Sequence, residues 1–267
     1  MAYFLKKRVA IMRHIIALFA SLMVVPLYAA EEPKDESKIT LGVGIGYGPE
    51  FVGGKKNKVS PILYVDYQAA NGFFAGVRGI GFQAEKGIFD GSIALAYGGS
   101  RGDDVANFSD TKSKFKGMGD IKNSALLNLE GGVNLWDVAH LSLGAELKLN
   151  HRENGNAYHV TLSAPIYTTE ADQLSISAFA HYADAKYAQT YYGVTAAQSL
   201  ASSYAIYSPK AGFDTGSLTV TWNHLFDKNW GVSSSLGVKR LFKNAENSPL
   251  TESKTNPAAS LILGYSF

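Results

Sequence analysis

The chain contains no cysteine, which excludes disulfide scaffolds, thiolate zinc sites, iron–sulfur centres and cysteine nucleophiles together. It also lacks any apolar run of ~20 residues, the length a helix needs to cross ~30 Å of hydrocarbon. Charge is sparse, at 18% of 267 residues, against an average of about 25%. No stretch repeats apolar residues at i, i+3, i+4 and i+7 over three turns, so long amphipathic helices are absent as well. Glycine and aromatic residues are plentiful instead, with 27 Gly, 15 Tyr, 14 Phe and 3 Trp. A mean hydropathy of −0.04 with 46% hydrophobic residues is too polar for a helical membrane protein and too apolar for a disordered one. An all-β protein remains.

Residues 1–30 read as an address. Lys6, Lys7, Arg8 and Arg13 form a basic head without an acid, residues 15–27 are apolar apart from Ser21 and Pro26, and Tyr28-Ala29-Ala30 precedes the polar Glu31-Glu32-Pro33. Basic, apolar, small, then polar is the order of a secretory signal peptide, with cleavage expected after Ala29 or Ala30 and Met12 as an alternative start. Removing those four basic residues from 25 leaves 21 against 23 acidic, a net of −2. Nucleic-acid binding loses its electrostatic support, and Lys55, Lys56 and Lys58 read as a solvated loop.

Residues 31–267 alternate with period two. Ile39, Leu41, Val43, Ile45 and Tyr47 alternate with Thr40 and glycines; Leu141, Leu143, Ala145, Leu147 and Leu149 alternate with Ser142, Gly144, Glu146, Lys148 and Asn150. Such alternation gives strands with one apolar and one polar face. About eleven segments are legible: 38–47, 58–69, 72–84, 88–99, 123–136, 140–151, 157–168, 173–183, 208–226, 230–243 and 257–267. Many have the ~9–11 residues that a tilted strand needs to cross a bilayer. Short turns alternate with longer polar loops, and Tyr47, Tyr67, Phe73, Tyr97, Trp136, Tyr158 and Trp230 fall near segment ends, as interfacial girdles require. The chain closes on an alternating strand with Tyr265 and a terminal Phe267, the form of strand that the outer-membrane assembly machinery reads. These features predict an antiparallel transmembrane β-barrel in the outer membrane of a Gram-negative cell, with a secreted β-sandwich or soluble barrel as the alternative. Single-chain bacterial barrels have an even strand number, so eleven segments predict twelve strands, the Tyr-rich stretch 184–207 hiding the last, with ten as the other count.

Histidine is the remaining route to catalysis. His159 and His181 lie on the polar face, but Ser163 is ~13 Å from His159 along an extended strand at ~3.3 Å per residue. No nucleophile, zinc or phosphate-loop motif occurs. Asp103, Asp104 and Asp110 are a weak calcium candidate in an acidic loop. The expectation is a protein without catalytic, cofactor or metal residues.

Asp184-Ala185-Lys186-Tyr187-Ala188-Gln189-Thr190-Tyr191-Tyr192-Gly193-Val194 resembles the DAxYxxxYYGV segment of the MipA/OmpV family, the MltA-interacting proteins. Further blocks resemble that family in the same order: Leu41-Gly42-Val43-Gly44, Pro49-Glu50-Phe51-Val52-Gly53-Gly54, Ser60-Pro61, Arg78-Gly79-Ile80-Gly81-Phe82, Lys116-Gly117-Met118-Gly119-Asp120-Ile121, Ser203-Tyr204, Tyr207, Lys239-Arg240-Leu241, Ser248-Pro249-Leu250 and Gly264-Tyr265-Ser266-Phe267. Phe51 and Met118 depart from the family's usual Tyr and Leu. The resemblance implies an outer-membrane barrel that scaffolds murein (peptidoglycan) turnover by joining a lytic transglycosylase to a murein synthase, with Asp184, Tyr187, Tyr191, Tyr192, Gly193 and Val194 as its motif residues. It supplies no catalytic residue. A small-solute channel or lumen-ligand barrel is the alternative function.

Overall fold

A computed structural model describes residues 37–102, 114–136 and 138–267. The expected signal peptide at 1–30 and the Asp103, Asp104 and Asp110 loop lie outside them. Twelve strands form one closed, wholly antiparallel barrel: β1 (Lys38–Pro49), β2 (Asn57–Gln68), β3 (Phe73–Gly76), β4 (Gly79–Lys86), β5 (Phe89–Gly98), β6 (Ser124–Leu135), β7 (Ala139–Lys148), β8 (Ala157–Thr168), β9 (Asp172–Ala183), β10 (Gly212–Leu225), β11 (Trp230–Leu241) and β12 (Thr255–Ser266). The ring closes between the first and last strands, from Thr40 opposite Ser266 to Tyr47 opposite Ala259. Both ends of the barrel sequence therefore lie at the rim that carries the short turns, which in such barrels faces the periplasm. Loops 50–56, 149–156, 184–211 and 242–254, with residues 99–102 and 114–123, stand at the outer rim.

The count of twelve is as expected, but the twelfth strand is not in 184–207. That stretch holds two short helices, α1 (Ala185–Tyr192) and α2 (Ala196–Ala201); a third, α3 (Lys243–Glu246), lies in the last long loop. The extra strand comes from 72–84, which folds back on itself at Val77-Arg78. Phe73 pairs with Phe82, and Gly76 with Gly79. Gly79 has φ +109°, a backbone that a side chain resists, so glycine is what lets so tight a hairpin form. This hairpin is far shorter than its neighbours: β3 has four residues, β2 twelve.

The alternation sorts side chains as a membrane barrel requires. Outward residues are apolar and bare: Leu63 is 70% exposed and Leu236 66%. Inward residues such as Thr40, Ser142, Thr161, Ser177, Thr221 and Ser235 are small, polar and buried. A soluble β-sandwich would invert this arrangement. At the periplasmic rim Trp230 packs edge-on against Tyr265, and Tyr265 against Phe267, at 5.0 and 4.7 Å between centroids. Strand prolines obey the ladder. Pro61 pairs only with β1, Pro257 only with β11, and Pro165 adjoins a register shift, positions where a missing N–H is tolerated.

Candidate functional site

The outer loops fold together over the barrel mouth, and the family-like residues of the sequence meet there. Asp184 ends β9 and starts α1. Its Oδ1 accepts from the Tyr187 backbone N–H at 2.7 Å and its Oδ2 from Asn156 N–H at 2.8 Å. One carboxylate thus caps a helix and ties down the neighbouring loop. Helical spacing then puts Tyr187 and Tyr191 on one face, their rings 4.3 Å apart. Tyr187 also lies 5.2 Å from the His181 ring, and the Tyr191 hydroxyl donates to Gly99 O at 2.6 Å. Tyr192 packs with Leu241 and Ala245, and its carbonyl accepts from the Ser248 hydroxyl at 2.6 Å. Gly193 follows as the helix ends, its N–H donating to Gln189 O. Val194 exchanges both backbone hydrogen bonds with Tyr207 at 2.8 and 2.9 Å.

A second small core holds Met118, Val194 and Leu250, with Phe115, Tyr204 and Tyr207 against it. Blocks far apart in sequence therefore pack as one body. It spans the mouth: Lys114, in the loop after β5, meets Glu252, in the loop before β12, at 2.6 Å, although those loops rise from opposite sides of the ring. Gln198 donates to Met118 O at 2.6 Å and Tyr204 to Lys114 O at 2.9 Å. Glu252 also accepts from Lys55 N–H at 3.0 Å. We call this body the lid.

Its electrostatics follow from burial. Desolvation pushes the Tyr191 hydroxyl up to about 12 and those of Tyr187 and Tyr192 well above the ordinary range, Asp214 adding to the rise at Tyr192. Burial works to raise the Glu252 carboxyl too, but the hydrogen bonds from Lys114 and Lys55 hold it below the usual carboxylate value.

Below the lid the lumen carries separate hydrogen-bonded pairs. His181 Nδ1 is 2.6 Å from Asp214 Oδ1, and His140 Nε2 is 2.6 Å from Asp90 Oδ2. Ser142 donates to Glu130 at 3.0 Å. His159 lies opposite His181, and its ring covers Gly144, where any Cβ would collide with it. Ser163 lies opposite His140, not His159. His140 turns away from it, over Gly132 and toward Asp90. Among the described residues no serine is hydrogen-bonded to a histidine, and no three His, Asp or Glu side chains form a group able to hold a metal ion. Sequence reading found the tyrosine motif through its family resemblance but expected a strand where the structure has a helix. It missed the Lys114–Glu252 bridge, because neither residue stands in a motif.

A closed antiparallel barrel with an apolar outer belt, a polar lumen and aromatic rims is an outer-membrane β-barrel. The family model described as MltA-interacting protein MipA matches residues 41–267, and the chain belongs to this family. The chain is also similar to a 24 kDa outer membrane protein of Pasteurella multocida (strain Pm70), with 22% identity over 231 residues, covering 85% of this chain and 90% of the relative. Among solved structures it is similar to an outer membrane channel from Pseudomonas putida F1, with TM-score 0.46, 9% identity, 91% of this chain and 100% of the other covered. The translocator domain of the autotransporter NalP from Neisseria meningitidis gives TM-score 0.45 and 11% identity, covering 87% and 88%. The chain resides in the outer membrane.

Proposed function

We propose that the protein is a non-catalytic outer-membrane barrel that holds murein-turnover enzymes, a lytic transglycosylase and a murein synthase, at the periplasmic face. The observation that carries this reading is the lid. A mouth bridged by Lys114 and Glu252 suits a barrel that works from its periplasmic side better than an open pore. Membership of a family described as MltA-interacting supports the choice of partner. The short turns at 69–72, 87–88, 169–171 and 226–229, with Trp136 and Val138 between β6 and β7, are the surfaces such enzymes would meet.

A second reading, a small-solute channel or lumen-binding barrel, has its own support. The inward faces of β10, β11 and β1 are mainly Ser, Thr and Gly, and interior width grows with strand number. The refolded barrel should retain a lytic transglycosylase and a murein synthase from solubilised envelope, at levels well above an unrelated control barrel. If it retains neither, the scaffold reading fails, and steady single-channel conductance at neutral pH would put the channel reading in its place.

A further inference from the structure

The outer face of the barrel wall is almost free of charge. Among the described strands, the outward-facing residues that carry charge or titrate are Lys86, Asp172, His224 and Arg240. The first three lie beside the periplasmic turns, and His224 Nδ1 is engaged with Asp172 Oδ1 at 2.8 Å. Arg240 stands alone at the outer end. Its neighbour Lys239 is in line with the inward Ser217 and Asn256, and strand side chains alternate, so Arg240 faces outward.

This position is at the level of the lipid headgroups. Phe242, two residues on, lays its ring over Gly216, the residue opposite Arg240, where any Cβ would meet it. Tyr158, Tyr182 and Phe213 continue the outer aromatic girdle, their ring centroids 6.3 and 5.4 Å apart in turn. Such rings mark the boundary between hydrocarbon and headgroups. Below them the wall is bare and apolar at Leu218, Leu236 and Val238.

Further cations gather around Arg240. Its Nη1 donates to Thr255 Oγ1 at 2.9 Å, and its Nη2 lies 3.2 Å from Glu246 Oε1. Lys254 Nζ reaches the same oxygen at 2.8 Å, so one carboxylate fixes two cations at one point. Lys243 belongs to the same short helix, α3, and Asn244 of that helix donates to Lys210 O at 2.8 Å. The acids flanking these residues in sequence are engaged elsewhere, Asp214 with His181 in the lumen and Glu252 with Lys114 and Lys55. Positive charge is therefore in excess at this corner. Arg240 and Lys254 are half exposed, at 46% and 52%. A guanidinium has five N–H donors and an ammonium three, so most of theirs are left over after these contacts.

Fixed, half-exposed cations directly above an apolar wall suit a lipid with an anionic head. The outer leaflet of this membrane is built from a glycolipid whose diglucosamine head is phosphorylated. Arginine and lysine together meet phosphate through several charge-assisted hydrogen bonds at once. We propose that the corner formed by β11, β12 and α3 is a binding site for lipopolysaccharide, a phosphate of its lipid A held by Arg240 and Lys254 and its acyl chains lying along Leu218, Leu236 and Val238. Lys210 and Lys243 add to the positive potential that draws the head in. The site does not depend on the murein partners and stands or falls apart from them.

The full barrel, purified in dodecyl maltoside with EDTA so that no divalent cation bridges phosphate to protein, is titrated with diphosphoryl lipid A. Native mass spectrometry counts the lipid retained. Lipid A stripped of both phosphates should bind about tenfold more weakly or worse. A basic residue at a lipid surface contributes about fivefold, so Arg240→Gln should weaken retention about fivefold, and Arg240→Gln with Lys254→Gln about twenty-five-fold. Lys122→Gln makes the same charge change five strands away around the ring and should stay within about twofold of the unaltered barrel. Glu246→Gln separates binding from tethering, since removing the acid should leave retention equal or stronger. Folding of each variant is verified by its resistance to SDS before heating. A loss at Glu246→Gln as large as at Arg240→Gln makes the cluster a loop tether and overturns the site. Equal retention of the two lipid A forms, or equal loss at Lys122→Gln and Arg240→Gln, overturns it as well. Complete displacement by millimolar inorganic phosphate makes the ligand a free anion and overturns the glycolipid as occupant.

Discussion

Asp184 ties two elements of the lid with one side chain, since one oxygen caps α1 and the other holds the 149–156 loop. Losing a helix cap costs about 1 kcal/mol, and the bond to Asn156 N–H, made by a charged acceptor, adds at least a comparable amount. Asp184→Ala should therefore speed amide exchange in α1 roughly ten- to thirtyfold while the barrel strands stay protected. Asp184→Asn, which keeps an acceptor, should fall between the two. An α1 that exchanges equally in all three proteins would show that the cap does not hold the lid. The neighbouring loop explains why the site is tight: Gly155 has φ +75°, and a Cβ there would run into Tyr187 N and Asp184 Oδ1.

Among the elements, β12 separates folding from recognition. Phe267 donates its N–H to Ile39 O at 2.9 Å, a bond that does not need its ring. The ring itself is 68% exposed, so truncating it opens no cavity and should change the stability of the refolded barrel by less than ~0.5 kcal/mol. If the terminal aromatic is an assembly signal, Phe267→Ala should still lower the amount of assembled barrel in cells several-fold. A matching loss of stability in vitro would make its role structural instead. Elements of this kind were legible because burial on one face imposes period two, which survives in sequence without any contact being known. The β3–β4 hairpin was not, because the alternation of Gly72, Phe74 and Gly76 with Phe73 and Ala75 runs straight toward the turn. Val77-Arg78 carries none of the Asn, Asp or Pro that mark turns; only Gly76 and Gly79 flanking it hint at one. The helices at 184–207 escaped for a different reason. At eight and six residues they are too short to show a helical period, and their caps, Asp184 and Thr195, were the signal to read.

At the scale of the whole molecule the lid joins opposite sides of the barrel, and its chemistry sets the pH range in which it stays shut. Glu252 is held below the ordinary carboxylate range in the folded protein by Lys114 and Lys55. A depressed folded value stabilises above the unfolded one, ~4.3 for glutamate, and that stabilisation is lost as pH falls through the folded value. Glu252 is partly exposed, so the effect is modest. The tyrosines act with the opposite sign. Tyr191 titrates at about 12 when folded and near 10 when unfolded, so its contribution is complete below pH ~10 and disappears between there and about 12. The lid should therefore be firmest between about pH 5 and pH 9. Exchange at Val194 and Tyr207, corrected for intrinsic rate, reads this directly, because those residues bond to each other at the centre of the lid. It should rise two- to fivefold between pH 6 and pH 3.5. Glu252→Gln should show the faster exchange already at pH 6 and a flatter response below it, while Tyr191→Phe should flatten the alkaline limb and leave the acid one alone. Acid and alkaline limbs that both survive Glu252→Gln and Tyr191→Phe unchanged would mean that other contacts close the mouth. The reading of the barrel as one that works from the periplasm would then lose its main support.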